Sequence, residues 1–127
     1  NTREQGWIDW RWNAEELSIF IGAFDAPYIG ASTFWGSQRV FLRSARALYQ
    51  DGTFHPFQAG LVYRKTNEGL YLAVRGGALV VHKVFNEMGV EVSEQIERGS
   101  RFFTPCEQLE HAMKYSAEYD RYEKTKI

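Results

Sequence analysis

Apolar residues recur at Leu17, Phe20, Ile21 and Phe24, the i, i+3, i+4, i+7 spacing that lines one face of an α-helix. Asn13 precedes this run and Glu16 follows three residues later. That pair can satisfy two helix-start N–H groups, one through the Asn side chain and one through the returning Glu carboxylate. Glu15 and Glu16 also sit at the positive end of the helix dipole. Ala14, Ser18 and Asp25 fall off the apolar face. Pro27 stops the helix and pushes Ala26 out of the α region. Gly30 then makes a turn that a side chain would obstruct.

Beyond Gly30 the pattern changes to short extended runs separated by Gly-bearing turns. Ala31–Trp35 reads as a strand, Gly36-Ser37 as a two-residue hairpin loop, and Gln38–Leu48 as a long second strand with Val40 and Leu42 opposite Phe41 and Ala45. Asp51-Gly52 is a turn. Thr53–Gln58 is irregular, because Pro56 cannot donate to a central ladder. Ala59–Lys65 is extended, Asn67-Glu68-Gly69 turns the chain into Leu70–Arg75, and Gly76-Gly77 turns it again into Ala78–Phe85. At least five short strands after one helix favour a small antiparallel barrel or sandwich over a parallel sheet. Ser93 and Glu94 start a short helical turn in the Gly89–Gly99 region, and Arg101–Phe103 is extended. A C-terminal helix begins at Thr104 or Pro105, with Thr104 as cap and Pro105 in the first turn. Tyr115, Tyr119 and Tyr122 form a stripe on it that docks on the domain, and the last residues fray.

Length sharpens this picture to one domain with a core of its own. The net charge of −1 argues against a module whose main work is gripping nucleic-acid phosphates. The single cysteine, Cys106, excludes an internal disulfide and points to a reducing compartment, the cytoplasm. No apolar run reaches membrane-spanning length, and no signal peptide is read. The opening Asn1 reads as a cut end, so residues 1–6 are expected to be a linker from a missing upstream domain.

Catalytic signatures are sparse. The chain carries no CxxC, HExxH, GxSxG, phosphate-binding loop or dinucleotide fingerprint. His55, His82 and His111 lack ligand spacing. His55, before a Pro and beside two Phe, is the best of them for a functional role, against a loop-fixing hydrogen bond. His82, in the apolar run Val80–Val84, reads as a hydrogen-bonded core or interfacial histidine. Asp25, before the Pro turn, suits capping of local N–H groups. Cys106 and His111 are not at a facing helical spacing. Trp7, Trp10 and Trp12 either cover the core edge near the helix start or stack a base or sugar. Arg39, Arg43 and Arg46 are either a solvated strand face or a patch for an anionic substrate or neighbouring domain.

Trp-Ile-Asp-Trp at 7–10, the Ala-Glu-Glu-Leu helix, Phe24–Ala31 and the hairpin after it resemble the C-terminal domain of folate-dependent formyltransferases. The strand at Gly76–Leu79 and the stretch Ile96–Phe102 resemble that domain's last strands. The family includes methionyl-tRNA formyltransferases and amino-sugar formyltransferases. The resemblance implies a mainly β fold, an OB-like open Greek-key barrel with one N-terminal and one C-terminal helix. It implies a barrel over residues 7–104 and a helix and tail over 105–127. Two positions depart from the family pattern: Gly22 stands where Arg is usual, and Ile29 where Pro is common.

The resemblance further implies a non-catalytic accessory domain. The missing N-terminal catalytic domain would carry an Asn, a His and an Asp and use 10-formyltetrahydrofolate to formylate an amine. The fragment then holds no catalytic, cofactor-binding or metal residues. Arg39, Arg43, Arg46, His55, Trp10 and Trp12 are its candidate acceptor contacts. The balanced charge favours an amino sugar nucleotide as acceptor, with aminoacyl-tRNA second. Two other readings stay open: a stand-alone barrel binding single-stranded nucleic acid or oligosaccharide, and an interdomain or dimer interface.

Overall fold

The computed structural model describes residues 2–114. It places helix α1 at Thr2–Gln5 and α2 at Ala14–Ala23, followed by strands β1 (Ala31–Trp35), β2 (Gln38–Leu48), β3 (Val62–Thr66), β4 (Gly69–Val74), β5 (Gly77–Asn86) and β6 (Phe102–Phe103). Residues 106–114 form a third helix, α3. Single 3₁₀ turns lie at Pro56–Gln58 and Ser93–Gln95. The six strands make one antiparallel sheet in the order β3-β4-β5-β2-β1-β6. A hairpin (β1–β2) and a meander (β3–β5) are thus joined by the non-local β2–β5 ladder. The sheet curls into an OB-like half-barrel with flanking helices, as the resemblance implies. The tyrosine stripe expected at 115–122 lies outside the described residues.

The helix start forms as its sequence dictates. Asn13 Oδ1 accepts from the Glu16 N–H at 2.8 Å, and Glu16 Oε1 accepts from the Asn13 N–H at 3.0 Å. Leu17 and Ile21 are fully buried against the sheet, while Phe20 and Phe24 pack beside Trp12 at the core margin. Ala14 is also buried, contrary to its predicted place off the apolar face. Its N–H donates to the Arg75 carbonyl, so the first turn of α2 is pressed onto the β4–β5 connection. Gly30 has φ +122, and a Cβ there would meet Phe41 Cβ at 3.0 Å and the Leu42 carbonyl oxygen at 3.1 Å. The expected obstruction is real.

One feature of β2 departs from simple alternation. Val40 and Leu42 point into the core, but so do Ala45 and Ala47; the facing phase slips by one residue between them. Ser44 is the cause. It takes φ +57, the left-handed conformation that a non-glycine residue adopts only at a cost. Asp25 Oδ2 accepts the Ser44 N–H at 2.8 Å, and the Arg43 guanidinium donates to the Ile29 carbonyl at 3.0 Å and to that of Tyr28. The loop after α2 therefore holds the kink. The partner strand slips with it: Leu79 and Val81 face the core, then Val84 does. His82 consequently lies on the exposed side, with Nδ1 3.0 Å from the Glu68 carbonyl oxygen, and is not the core histidine its neighbours suggest.

The ends of the sheet meet at a seam. The Val62 N–H donates to the Ser100 carbonyl, the Gly99 N–H to that of Val62, and the Phe102 N–H to that of Gly60, all within 2.9 Å. Gly60 (φ +90) is required there, because a Cβ would stand 2.4 Å from the Phe102 carbonyl oxygen. The start of the chain is also fixed. Residues 2–5 are helical, and residues 6–8 run parallel to β1, with Ile8 N–H to Ser32 O at 2.8 Å and Ser32 N–H to Gly6 O at 2.6 Å. Thr104 does not cap α3. Its hydroxyl pairs with that of Thr33 at 2.9 Å in the interior.

Candidate functional site

The six candidate contact residues fall in different surroundings. Trp10 is a core residue. It is 8% exposed, its ring stacks on Phe102, and its indole N–H donates to Thr33 Oγ1 at 2.9 Å. That corrects the idea of Trp10 as a stacking platform, since little of its ring remains for a ligand. Trp12 is half-buried with its ring edge-on to Phe20. The two do not share a strand face, because residues 10–12 form a turn into α2. His55 caps the 3₁₀ turn: its Nδ1 accepts the Phe57 N–H at 3.2 Å, and its own N–H donates to Gln58 Oε1. Its ring stacks on the exposed Phe57.

The arginines of β2 do not converge. Arg39 lies over the ring of Trp7 at 4.2 Å and donates to Ser32 Oγ. Arg43 is held by the two loop carbonyls and lies over Phe85. Arg46 reaches Glu68 at 3.4 Å. At ~3.3 Å per strand residue, Arg39 and Arg46 stand on the order of 20 Å apart along the strand. A single anion cannot engage all three.

Two grooves of similar size mark the surface. The first, about 530 Å³, lies beside the seam and is lined by Asp51, Phe54, Tyr63, Arg64, Lys65, Glu97 and Arg98. Apart from Arg98, its polar groups bond to the protein. Asp51 Oδ2 accepts from the Tyr63 hydroxyl and from Arg64 Nη2, both at 2.6 Å. Lys65 donates to the Glu94 carbonyl at 3.0 Å and to Glu97 at 3.4 Å. Burial, then the hydrogen bond to Asp51, pushes the Tyr63 phenol well above its ordinary range. The second groove, about 560 Å³, lies between the β1–β2 hairpin tip, the end of β5 and α3. Ser37, Gln38 and Gln108 line it, and their side chains make no hydrogen bond among the described residues. The sequence gives no signal for this grouping, since isolated Gln residues carry no pattern.

The remaining ionisable groups near the helix starts are structural. Asp9 accepts two bonds from the Arg11 guanidinium, at 2.9 and 2.7 Å, which hold its carboxyl below the usual range. His111 Nε2 lies 2.8 Å from Glu4 Oε2, linking α3 to α1 rather than pairing with Cys106. Among the described residues no cluster of three His, Cys, Asp or Glu side chains could hold a metal ion, and no helix is long and apolar enough to cross a membrane.

The fold is a small OB-like barrel whose flanking helices pack at the margins of one sheet. The chain belongs to the formyl transferase C-terminal domain family, whose sequence model matches residues 1–96. It is similar to the methionyl-tRNA formyltransferase of Marinobacter nauticus, with 28% identity over 110 residues that cover 85% of this chain and 34% of that protein. The chain thus spans about a third of that relative's length. The family-matched residues include α2 and β1–β5, while β6 and α3, which complete the seam and the second groove, lie beyond them. Gly22 is exposed, and a Cβ there would meet nothing within 4 Å.

Proposed function

We propose that this barrel is the non-catalytic C-terminal accessory domain of a formyltransferase that moves a formyl group from 10-formyltetrahydrofolate to an amine, and that it helps bind or orient the acceptor. The observation that carries this reading is the match to the C-terminal domain family by a chain whose alignment covers about a third of its relative. The disposition of polar groups supports it. Asp9, Asp51, His55 and His111 are each engaged in a bond that fixes local structure. The formyl donor belongs to the upstream domain. In the grooves, Phe54 packs on Tyr63 and Phe34 on Trp7, which leaves no aromatic pair open to sandwich a pteridine ring.

The acceptor is an amino sugar nucleotide in this reading. Arg39, Arg43 and Arg46 each have a protein partner, which leaves little of their hydrogen-bonding capacity for an RNA backbone. Aminoacyl-tRNA is the second reading, favoured by the name of the relative. The enzyme would work in the cytoplasm, where Cys106 stays reduced. The test compares the intact enzyme with one lacking this domain. Removal should raise the acceptor KM at least about tenfold and leave folate binding unchanged. Equal loss of both would reject the orienting role. A steep salt dependence of acceptor KM would favour tRNA.

A further inference from the structure

We propose that the groove between the hairpin tip, the end of β5 and α3 is a binding site for an uncharged, hydroxyl-bearing sugar ring. Its lining carries the argument. Ser37, Gln38 and Gln108 bring hydroxyl and amide groups that both donate and accept, and none of them has a hydrogen-bond partner among the described residues. Asn86 is oriented by the chain itself: its Oδ1 accepts the Met88 and Val90 N–H groups at 2.9 and 3.0 Å, leaving its NH₂ as the donor it offers. Sugar hydroxyls also donate and accept, so such amides satisfy them without a charge. Phe34 adds an apolar wall for the C–H face of a ring, held firm because it stacks on Trp7. The two charged side chains of the lining, Arg39 and Glu87, are of opposite sign and both are engaged, so the groove presents no net charge to an ion.

The seam groove shows why volume alone does not make this assignment. It is nearly as large, yet Asp51, Tyr63, Arg64, Lys65 and Glu97 bond one another. The groove at the hairpin tip also lies where the chain begins its course through the barrel, since Trp7, five residues after Thr2, is part of its wall. Assigning the ring to the acceptor, as the sugar of an amino sugar nucleotide, rests on the reading under Proposed function; binding of the ring does not.

The experiment is a titration of the full chain with methyl α-D-glucopyranoside, followed by ¹H–¹⁵N NMR, with uridine as the comparison ligand. A single ring should bind in the millimolar range, about what its few heavy atoms permit. Saturable shifts are expected at the side-chain amides of Gln38, Asn86 and Gln108 and at the hairpin tip, with the seam groove unmoved. The Gln38→Ala, Gln108→Ala double variant should weaken binding about tenfold while its remaining spectrum stays unchanged, which shows that it folds. The proposal is overturned by three results: no saturable shift with the glucoside, shifts with uridine alone, or equal affinity in the double variant. If the glucoside fails while removal of the barrel still raises the acceptor KM, the sugar site is lost and the accessory role survives. If the glucoside binds while removal leaves the acceptor KM unchanged, the site stands and its assignment to the acceptor is lost.

Discussion

The two grooves have nearly the same volume and opposite chemistry. At the seam, Asp51 gathers the Tyr63 hydroxyl and the Arg64 guanidinium, and Lys65 spans to Glu94 and Glu97. At the hairpin tip, the side chains of Ser37, Gln38 and Gln108 line the space and have no hydrogen-bond partner among the described residues. The difference follows from what each place must do for the fold. The seam is where the sheet's two ends meet through a few backbone bonds, so side chains reinforce it. The hairpin tip is already tied by the β1–β2 ladder and needs no such help. Polar residues that hold a barrel together are consumed by that task, and only those outside it stay available for a ligand.

The sharpest way to break this contrast is to open the seam. Gly60→Ala forces a Cβ against the Phe102 carbonyl at a positive φ, so it should destabilise the domain by about 3 kcal/mol. Urea denaturation measures this, and a change under about 0.5 kcal/mol would mean the seam is not a structural closure. Asp51→Asn comes next. It weakens two bonds at a partly exposed carboxylate, with an expected cost of about 1 kcal/mol after discounting for solvent. A neutral result would remove the claim that the seam groove's polarity is structural.

Tyr63 offers a pH test of the same network. Its phenol is raised in the folded state, so the unfolded chain loses that proton first. Stability is therefore whole below about pH 10, the unfolded value, and falls as pH climbs from there toward the folded one. Tyr63→Phe should flatten that alkaline decline. An unchanged decline in the variant would assign it to other groups. The Asp9 carboxyl works with the opposite sign: it is lowered by Arg11, so its contribution is present above about pH 4 and disappears as pH falls through the folded value. Asp9→Asn should reduce the acid dependence of unfolding, and an identical acid limb in wild type and variant would show that the Asp9–Arg11 pair adds nothing.

Much of this architecture is legible in the residues. The Asn13–Glu16 pair announces the helix start because both bonds are local, and Gly36-Ser37 announces the hairpin for the same reason. The slip at Ser44 is not legible. Serine has no preference for the left-handed state, and what holds it there is the carboxylate of Asp25, 19 residues earlier in the chain. His82 is misread as a consequence, since the alternation around it reverses with its partner strand. Trp10 reads first as a core cover and second as a ligand platform, and its bond to Thr33 and its stack on Phe102 decide for the core. The hairpin-tip groove is hidden more completely. Gln38 and Gln108 are ordinary surface residues in sequence, and they meet only because β6 and α3 fold back beside β1.

The smallest expected effect is the most informative about that groove. Gln38 and Gln108 make no side-chain hydrogen bond among the described residues, so replacing both with Ala leaves no buried group without a partner. The double variant should keep the wild-type unfolding free energy within about 0.5 kcal/mol. It removes two amides that bond no described residue, whereas Asp51→Asn takes the charge from an acceptor that two side chains share. A loss above about 1 kcal/mol would show that the amides support the barrel after all, and the distinction between the two grooves would collapse. Unchanged stability together with weakened sugar binding would separate holding the fold from holding a ligand.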